Sequence, residues 1–249
     1  MLHVVRHGSP TDLPPLLIAH GLYGSARNWG AIAKRMSDTR EVWAVDMRNH
    51  GASFWDDDHS YAAMAGDLAE ILDQPTDIIG HSMGGKAAMM LALTRHEHVN
   101  RLVVADIAPV AYEHSQMPMI EAMRAVDLTG VDNRRDADAQ LALTVDEAPV
   151  RAFLLQSLDI ENKRWRLNLD ALAKAMPDIV GFPDVTGSFA GETLFLSGGT
   201  SDYVTRDDRP KIKSLFPKAQ FAKIPDASHW LHAEQPRAFE AALRVFLET

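Results

Sequence analysis

Short apolar runs recur along this chain at wide spacing, and segments with a helical repeat lie between them. Residues 16–20 read LLIAH, 41–45 EVWAV, 76–79 TDII, 99–105 VNRLVVA, 193–197 TLFLS and 220–224 QFAKI. Runs of this length and density suit strands covered on both faces. Residues 1–5 fit an edge strand. Between the runs, Trp29, Ile32, Ala33 and Met36 recur at helical spacing within 25–36. Ser60 suits an N-cap for a helix over 61–73 that turns Ala65, Leu68, Ala69 and Leu72 inward. Residues 86–93 hold strong helix formers and no breaker. Further helices fit 207–216 and the stretch that ends at 247. Strands that alternate with helices in this way predict an α/β fold with a mostly parallel central sheet.

The alternation breaks between 112 and 183. Amphipathic segments lie near 117–126, 134–143, 150–155 and 169–175, and none of them reads as a central strand. The pattern predicts a core of residues 1–111 and 184–249, with an all-helical cap, 112–183, inserted over the carboxyl edge of the sheet.

One junction carries chemistry. Gly80-His81-Ser82-Met83-Gly84 sits between the run at 76–79 and the helix after it. This is the G-x-S-x-G pattern of a nucleophile elbow. A serine on so sharp a turn has strained backbone, and its neighbours two away on either side lie too close for side chains. The turn lifts Oγ to the sheet edge, at a helix start whose free N–H groups can hold an oxyanion. His229 follows the last strand, at the same edge, and can take the proton from Ser82. Two acids can orient it. Asp106 follows the strand after the elbow, and Asp202 follows the penultimate strand. Topology alone does not choose between them.

Composition narrows the classes. The chain has 249 residues, 46% hydrophobic and 24% charged, which suits one soluble α/β domain with or without a cap. A net charge of −9 argues against nucleic acid and anionic membrane as partners. The absence of cysteine excludes disulfides, thiolate nucleophiles and Cys-ligated zinc. No signal segment opens the chain and no apolar run nears the ~20 residues of a membrane span, so a cytoplasmic location is expected. Arg6-His7-Gly8 after a strand resembles the histidine phosphatases, but Ser9 and Pro10 stand where their acidic residue and threonine follow. The triplet reads as a strand end and turn.

Taken together, the motifs resemble the α/β-hydrolase superfamily across nearly the whole chain. The closer resemblance is to the YbfF-like esterases and related eukaryotic abhydrolases. It rests on HGLYGSARNW at 20–29, DMRNHGAS at 46–53, GHSMGGKAAM at 80–89, VVADIAPVAY at 103–112, RWRLNLDAL at 164–172, LFLSGGTSDYV at 194–204 and HWLHAEQP at 229–236. The resemblance implies an α/β-hydrolase fold and an acyl-enzyme on Ser82, with the N–H groups of Leu22 and Met83 as the oxyanion hole. It implies Asp106 as the acid, although this chain also has Asp202. The reaction it implies is hydrolysis of carboxyl esters or acyl thioesters, acyl-CoA included, with no cofactor and no metal. Arg134, Arg135, Arg164 and Arg166 could meet an anionic head group, though solvated surface charge is the simpler reading. A C–C bond or lactone hydrolase would use the same residues. A receptor that binds small molecules without turnover is the alternative of another class. Monomer and homodimer both stay open.

Overall fold

Each predicted run becomes a strand, displaced by a residue or two at its ends. The computed structural model describes residues 1–248. The strands are β1 His3–His7, β2 Leu16–Ala19, β3 Val42–Asp46, β4 Thr76–His81, β5 Val99–Ala105, β6 Leu158–Asp159, β7 Arg164–Trp165, β8 Glu192–Gly198 and β9 Ala219–Ile224. Seven of them make one sheet in the order β1-β3-β2-β4-β5-β8-β9. Only β1 runs antiparallel to its neighbour. Its register pairs His7 with Val42, at the amino end of β3. Arg6-His7-Gly8 therefore lies at the sheet edge opposite Ser82.

The helices are α1 Gly30–Met36, α2 Tyr61–Glu70, α3 Met83–Thr94, α4 Met117–Ala125, α5 Arg134–Leu141, α6 Ala148–Leu154, α7 Leu169–Lys174, α8 Met176–Val180, α9 Arg209–Leu215, α10 Leu231–Glu234 and α11 Pro236–Leu247. The predicted helix over 25–36 opens as a 3-10 turn, Ala26–Trp29, before α1. Ser60 caps α2 by accepting the Ala63 N–H at 3.2 Å. Side chains along the strands alternate between two cores, as the period of a pleated strand requires. Leu16 and Ile18 of β2 join Ile32, Met36, Phe239 and Leu243 beneath α1 and α11. Leu17 and Ala19 join Tyr61, Leu68 and Met89 beneath α2 and α3. No helix is long and apolar enough to cross a membrane among the described residues.

Between β5 and β8 the chain runs through α4 to α8, and none of it joins the central sheet. This stretch is not all helical. The β6–β7 hairpin pairs Leu158 with Trp165 and Asp159 with Arg164. Its turn is closed by the Asp159 carboxylate, which accepts from Asn162 Nδ2 at 3.0 and 3.1 Å. Strands two residues long leave no periodic signal for a sequence reading to find.

The return of this stretch to the core is fastened to α2 and α3. Tyr61 Oη donates to the Ile179 carbonyl at 2.7 Å. Lys86 Nζ donates to the carbonyls of Val180 at 2.9 Å and Gly181 at 2.5 Å. Lys86 Nζ also lies 4.8 Å from the centre of the Tyr112 ring, at the point where the stretch begins. Lys86 is 1% exposed and makes no ion pair among the described residues. Burial lowers its pKa to about 7. The unfolded chain keeps a lysine protonated up to about pH 10.4, so between pH 7 and 10 it holds a proton that the folded chain has released. Folding stability attributable to Lys86 must then rise with pH across that window, with a limiting slope of about 1.4 kcal/mol per pH unit. Urea unfolding of the wild type and Lys86→Met over pH 6–10 tests this. The gap between the two curves shifts in favour of the wild type as pH rises, and a gap independent of pH would show that the amine stays charged.

Candidate active site

The turn between β4 and α3 holds Ser82 at φ 51°, ψ −120°, in backbone that a residue with a side chain adopts only under constraint. The two glycines of the motif make that turn feasible. A Cβ on Gly80 would lie 2.3 Å from the Gly84 carbonyl oxygen, and one on Gly84 would lie 2.4 Å from the Ala19 carbonyl oxygen. The strand end, the helix start and β2 thus approach to a distance that excludes side chains. The Ser82 N–H donates to the Ala105 carbonyl at 3.1 Å, so the elbow is tied to the end of β5. The first helical bond of α3 runs from Lys86 N–H to Ser82 O. The N–H groups of Met83, Gly84 and Gly85 therefore have no acceptor within the helix.

Asp106 follows β5 directly. It is 0% exposed and has φ 53°. Its Oδ1 accepts the Gly198 N–H at 2.9 Å. Its Oδ2 accepts from Ser201 Oγ at 2.5 Å and from His229 Nδ1 at 2.8 Å. With the Nδ1 proton directed at a carboxylate, the imidazole keeps its lone pair on Nε2. Asp202 is exposed, and the residue before it, Ser201, is the one that reaches the buried acid. The structure brings Asp106 and His229 together and leaves Asp202 outside the pair.

Leu22 sits in a turn pinned by two histidines that burial keeps neutral. Met47 N–H donates to His20 Nε2 at 3.0 Å, so His20 Nδ1 carries the proton and donates to the Gly21 carbonyl at 2.8 Å. Tyr23 N–H donates to His50 Nε2 at 3.2 Å, and His50 Nδ1 donates to the Arg48 carbonyl at 2.8 Å. Burial lowers the pKa of His20. It holds His50 well below the usual range, helped by the nearby His20 and His59. Asp46 knits the adjoining turn by accepting the N–H groups of Ala26 at 2.7 Å and Ala52 at 2.8 Å.

A cavity of about 380 Å³ opens above this edge. Its lining includes Gly21, Leu22, Ser82, Met83 and His229 from the core and Met119, Val150, Phe153, Leu154 and Ile179 from the stretch between β5 and β8. Ser82 and His229 share the cavity without a hydrogen bond between them among the described residues. His81 backs the ring of His229 at 4.7 Å and donates from Nε2 to the His229 carbonyl at 2.9 Å. Burial lowers the pKa of His81 well below the usual range and that of His232 to about 3. Sequence reasoning passed over His81, Lys86, Ser201 and Tyr203. Ser201 and Tyr203 flank Asp202, so their signal was their place at a strand end rather than their residue type. Among the described residues no group of three or more His, Asp or Glu could hold a metal ion.

Comparison with known proteins places this geometry. The model of the alpha/beta hydrolase family matches residues 16–242. The mouse sn-1-specific diacylglycerol lipase ABHD11 is 43% identical over 249 residues, covering 94% of this chain and 81% of that protein. Esterase YbfF of Escherichia coli K12 is 38% identical over 94% of this chain and 92% of its own length. A solved structure described as a marine microorganism esterase aligns with a TM-score of 0.93 at 38% identity, covering 99% of both chains. With a family match of this length and relatives this similar, the chain belongs to the alpha/beta hydrolase family, as an enzyme of the esterase type.

Proposed function

We propose that this protein hydrolyses carboxyl esters through an acyl-enzyme on Ser82. In this reading His229 is the general base and acid, and Asp106 orients it. The observation that carries the reading is the bond from His229 Nδ1 to a fully buried carboxylate at the elbow's own edge of the sheet. Nε2 takes the Ser82 proton as Oγ attacks the ester carbonyl, and returns it to the departing alkoxide. The oxygen of the tetrahedral intermediate is held by the N–H groups of Leu22 and Met83. Water then attacks the acyl-enzyme by the same route and frees the acid. The bond between nucleophile and base is commonly long before substrate binds and tightens in the complex.

Residues 112–183 act as a cap that receives the acyl chain, and the apolar wall of Met119, Val150 and Phe153 supports this role. The mouse and E. coli relatives, a lipase and an esterase by name, support an ester as the bond cleaved. A thioester would be cleaved by the same attack. An acyl-CoA head group would need cations at the cavity, yet none of Arg134, Arg135, Arg164 and Arg166 is among the residues that line it. We therefore place oxygen esters first and thioesters second.

Ser82→Ala is expected to lower kcat by several orders of magnitude and to abolish labelling by a fluorophosphonate. Asp106→Asn keeps shape but removes the charge, so kcat should fall on the order of 10⁴-fold, whereas Asp202→Asn should change it little. Steady-state kinetics of the three variants with one p-nitrophenyl ester decide the matter. A silent Asp106→Asn beside a damaging Asp202→Asn would reverse the assignment of the acid.

Phe153 lines the cavity with its ring 5.8 Å from that of Trp230. Phe153→Ala should move the preferred acyl length upward, changing the kcat/KM ratio of long to short esters roughly 10-fold, the effect of a methylene or two in an apolar pocket. A series of p-nitrophenyl esters measures this, and an unchanged length profile would remove Phe153 from the acyl site.

A further inference from the structure

The His229 ring has a second neighbour that the proposed reaction does not use. The Tyr203 ring stacks on it with centroids 4.1 Å apart and planes 24° apart. Tyr203 is fixed at three points. Its N–H donates to Ser201 Oγ at 3.3 Å, its carbonyl accepts from Tyr112 Oη at 2.7 Å, and its hydroxyl bonds His114 Nε2 at 2.6 Å. The same Tyr112 hydroxyl accepts the Ala108 N–H at 2.8 Å. The first two bonds hold the Tyr203 backbone beside Asp106's partner Ser201, and the stacked ring covers one face of the imidazole. Its negative face also attracts an imidazolium more than a neutral imidazole.

We propose that Tyr203 is a positioning residue that holds the His229 ring in line with Asp106 and steadies the imidazolium formed while Ser82 is attacked. This rests on the reading of His229 as general base. The charged and titratable groups around His229 leave little else to do so. Asp106 meets the ring edge. His81 at the end of β4 and His232 on α10 are kept neutral by burial. Asp202 and Glu147 are exposed, Lys86 is taken up by the carbonyls of Val180 and Gly181, and His114, which also lines the cavity, bonds the Tyr203 hydroxyl.

The test compares Tyr203→Phe, which keeps the ring, with Tyr203→Leu, which keeps an apolar cover without a π-face. The pH dependence of kcat and kcat/KM is measured with a p-nitrophenyl ester. Tyr203→Phe should stay within about twofold of the wild type. Tyr203→Leu should lower kcat roughly 3- to 10-fold with little change in KM, and should move the acid limb of kcat/KM to lower pH by about half a unit, the size expected of a cation–π contact. An acid limb unmoved in Tyr203→Leu, or a Phe variant as impaired as the Leu variant, overturns the proposal. If Tyr203→Leu does not fold, a series of fluorinated phenylalanines at 203 drains the ring's negative face at constant shape. The limb should then move stepwise, and a flat series overturns the proposal. Fluorophosphonate labelling separates the two levels. Wild-type protein that is not labelled at Ser82 refutes the base reading itself, while labelled protein with an unmoved acid limb refutes only the part given to Tyr203.

Discussion

A carboxylate with no exposure has to be met by donors, because leaving a charge buried and unpaired costs several kcal/mol. Asp106 is met from three places: the Gly198 N–H at the end of β8, the Ser201 hydroxyl in the loop beyond it, and His229 after β9. One charge thus gathers the carboxyl ends of three adjacent strands. The backbone completes the arrangement. Asp106 N–H donates to the Leu196 carbonyl at 2.9 Å, and Ser82 N–H donates to Ala105, the residue before Asp106. Ser82 is therefore tied to the residue that precedes Asp106, and Asp106 to the neighbouring strand β8. The spacing of Ser82 and Asp106 is thus set by the sheet, which is the preorganisation that the proposed proton transfer through His229 would require.

The inner strands were legible because strands buried on both faces are written as nearly unbroken apolar runs, and the apolar run at 87–93 was told apart from them by its strong helix formers. The elbow was legible for a steric reason, since Gly80 and Gly84 occupy places where a Cβ would overlap backbone. The choice of acid was not legible from topology, because β5 and β8 are neighbours and both end at the same edge. What separates Asp106 from Asp202 is burial and the reach of Ser201, a hydroxyl that follows no pattern in sequence. Lys86 was read only as one member of a helix-forming run. Lysines are almost always solvated, so its burial beside two carbonyls depends on contacts more than ninety positions away along the chain.

The neutral histidines carry a related cost. His50 accepts the N–H of Tyr23, next to Leu22, and His20 accepts that of Met47 after β3, and only an uncharged ring has a lone pair to accept with. Burial keeps them uncharged by lowering their pKa values. The sign of the linkage follows. As pH falls below about 6.5, the unfolded chain takes up protons that the folded chain refuses, and stability drops. Acid therefore weakens the fold at the same groups that hold the Leu22 turn in place.

The stretch between β5 and β8 is tied to this turn as well as to the core. Ser157 Oγ donates to the Tyr23 carbonyl at 2.9 Å, Tyr23 Oη donates to the Gln116 carbonyl at 2.9 Å, and Asn28 Nδ2 donates to Gln156 Oε1 at 2.7 Å. On the other side, Lys86 sits one helical turn after Ser82 and fixes Val180 and Gly181. The cavity wall is thus tied twice to the surroundings of Ser82, once through the Leu22 turn and once through α3. On the proposed reading, a side chain that reshapes the wall without touching these bonds would change which acyl chain fits. One that breaks them would also displace the N–H groups of the proposed oxyanion hole, where a shift of 1 Å can cost 10²-fold in rate. The same reading makes selectivity and rate separable at Phe153, which lines the wall, and coupled at Tyr23, whose backbone and hydroxyl hold both sides together.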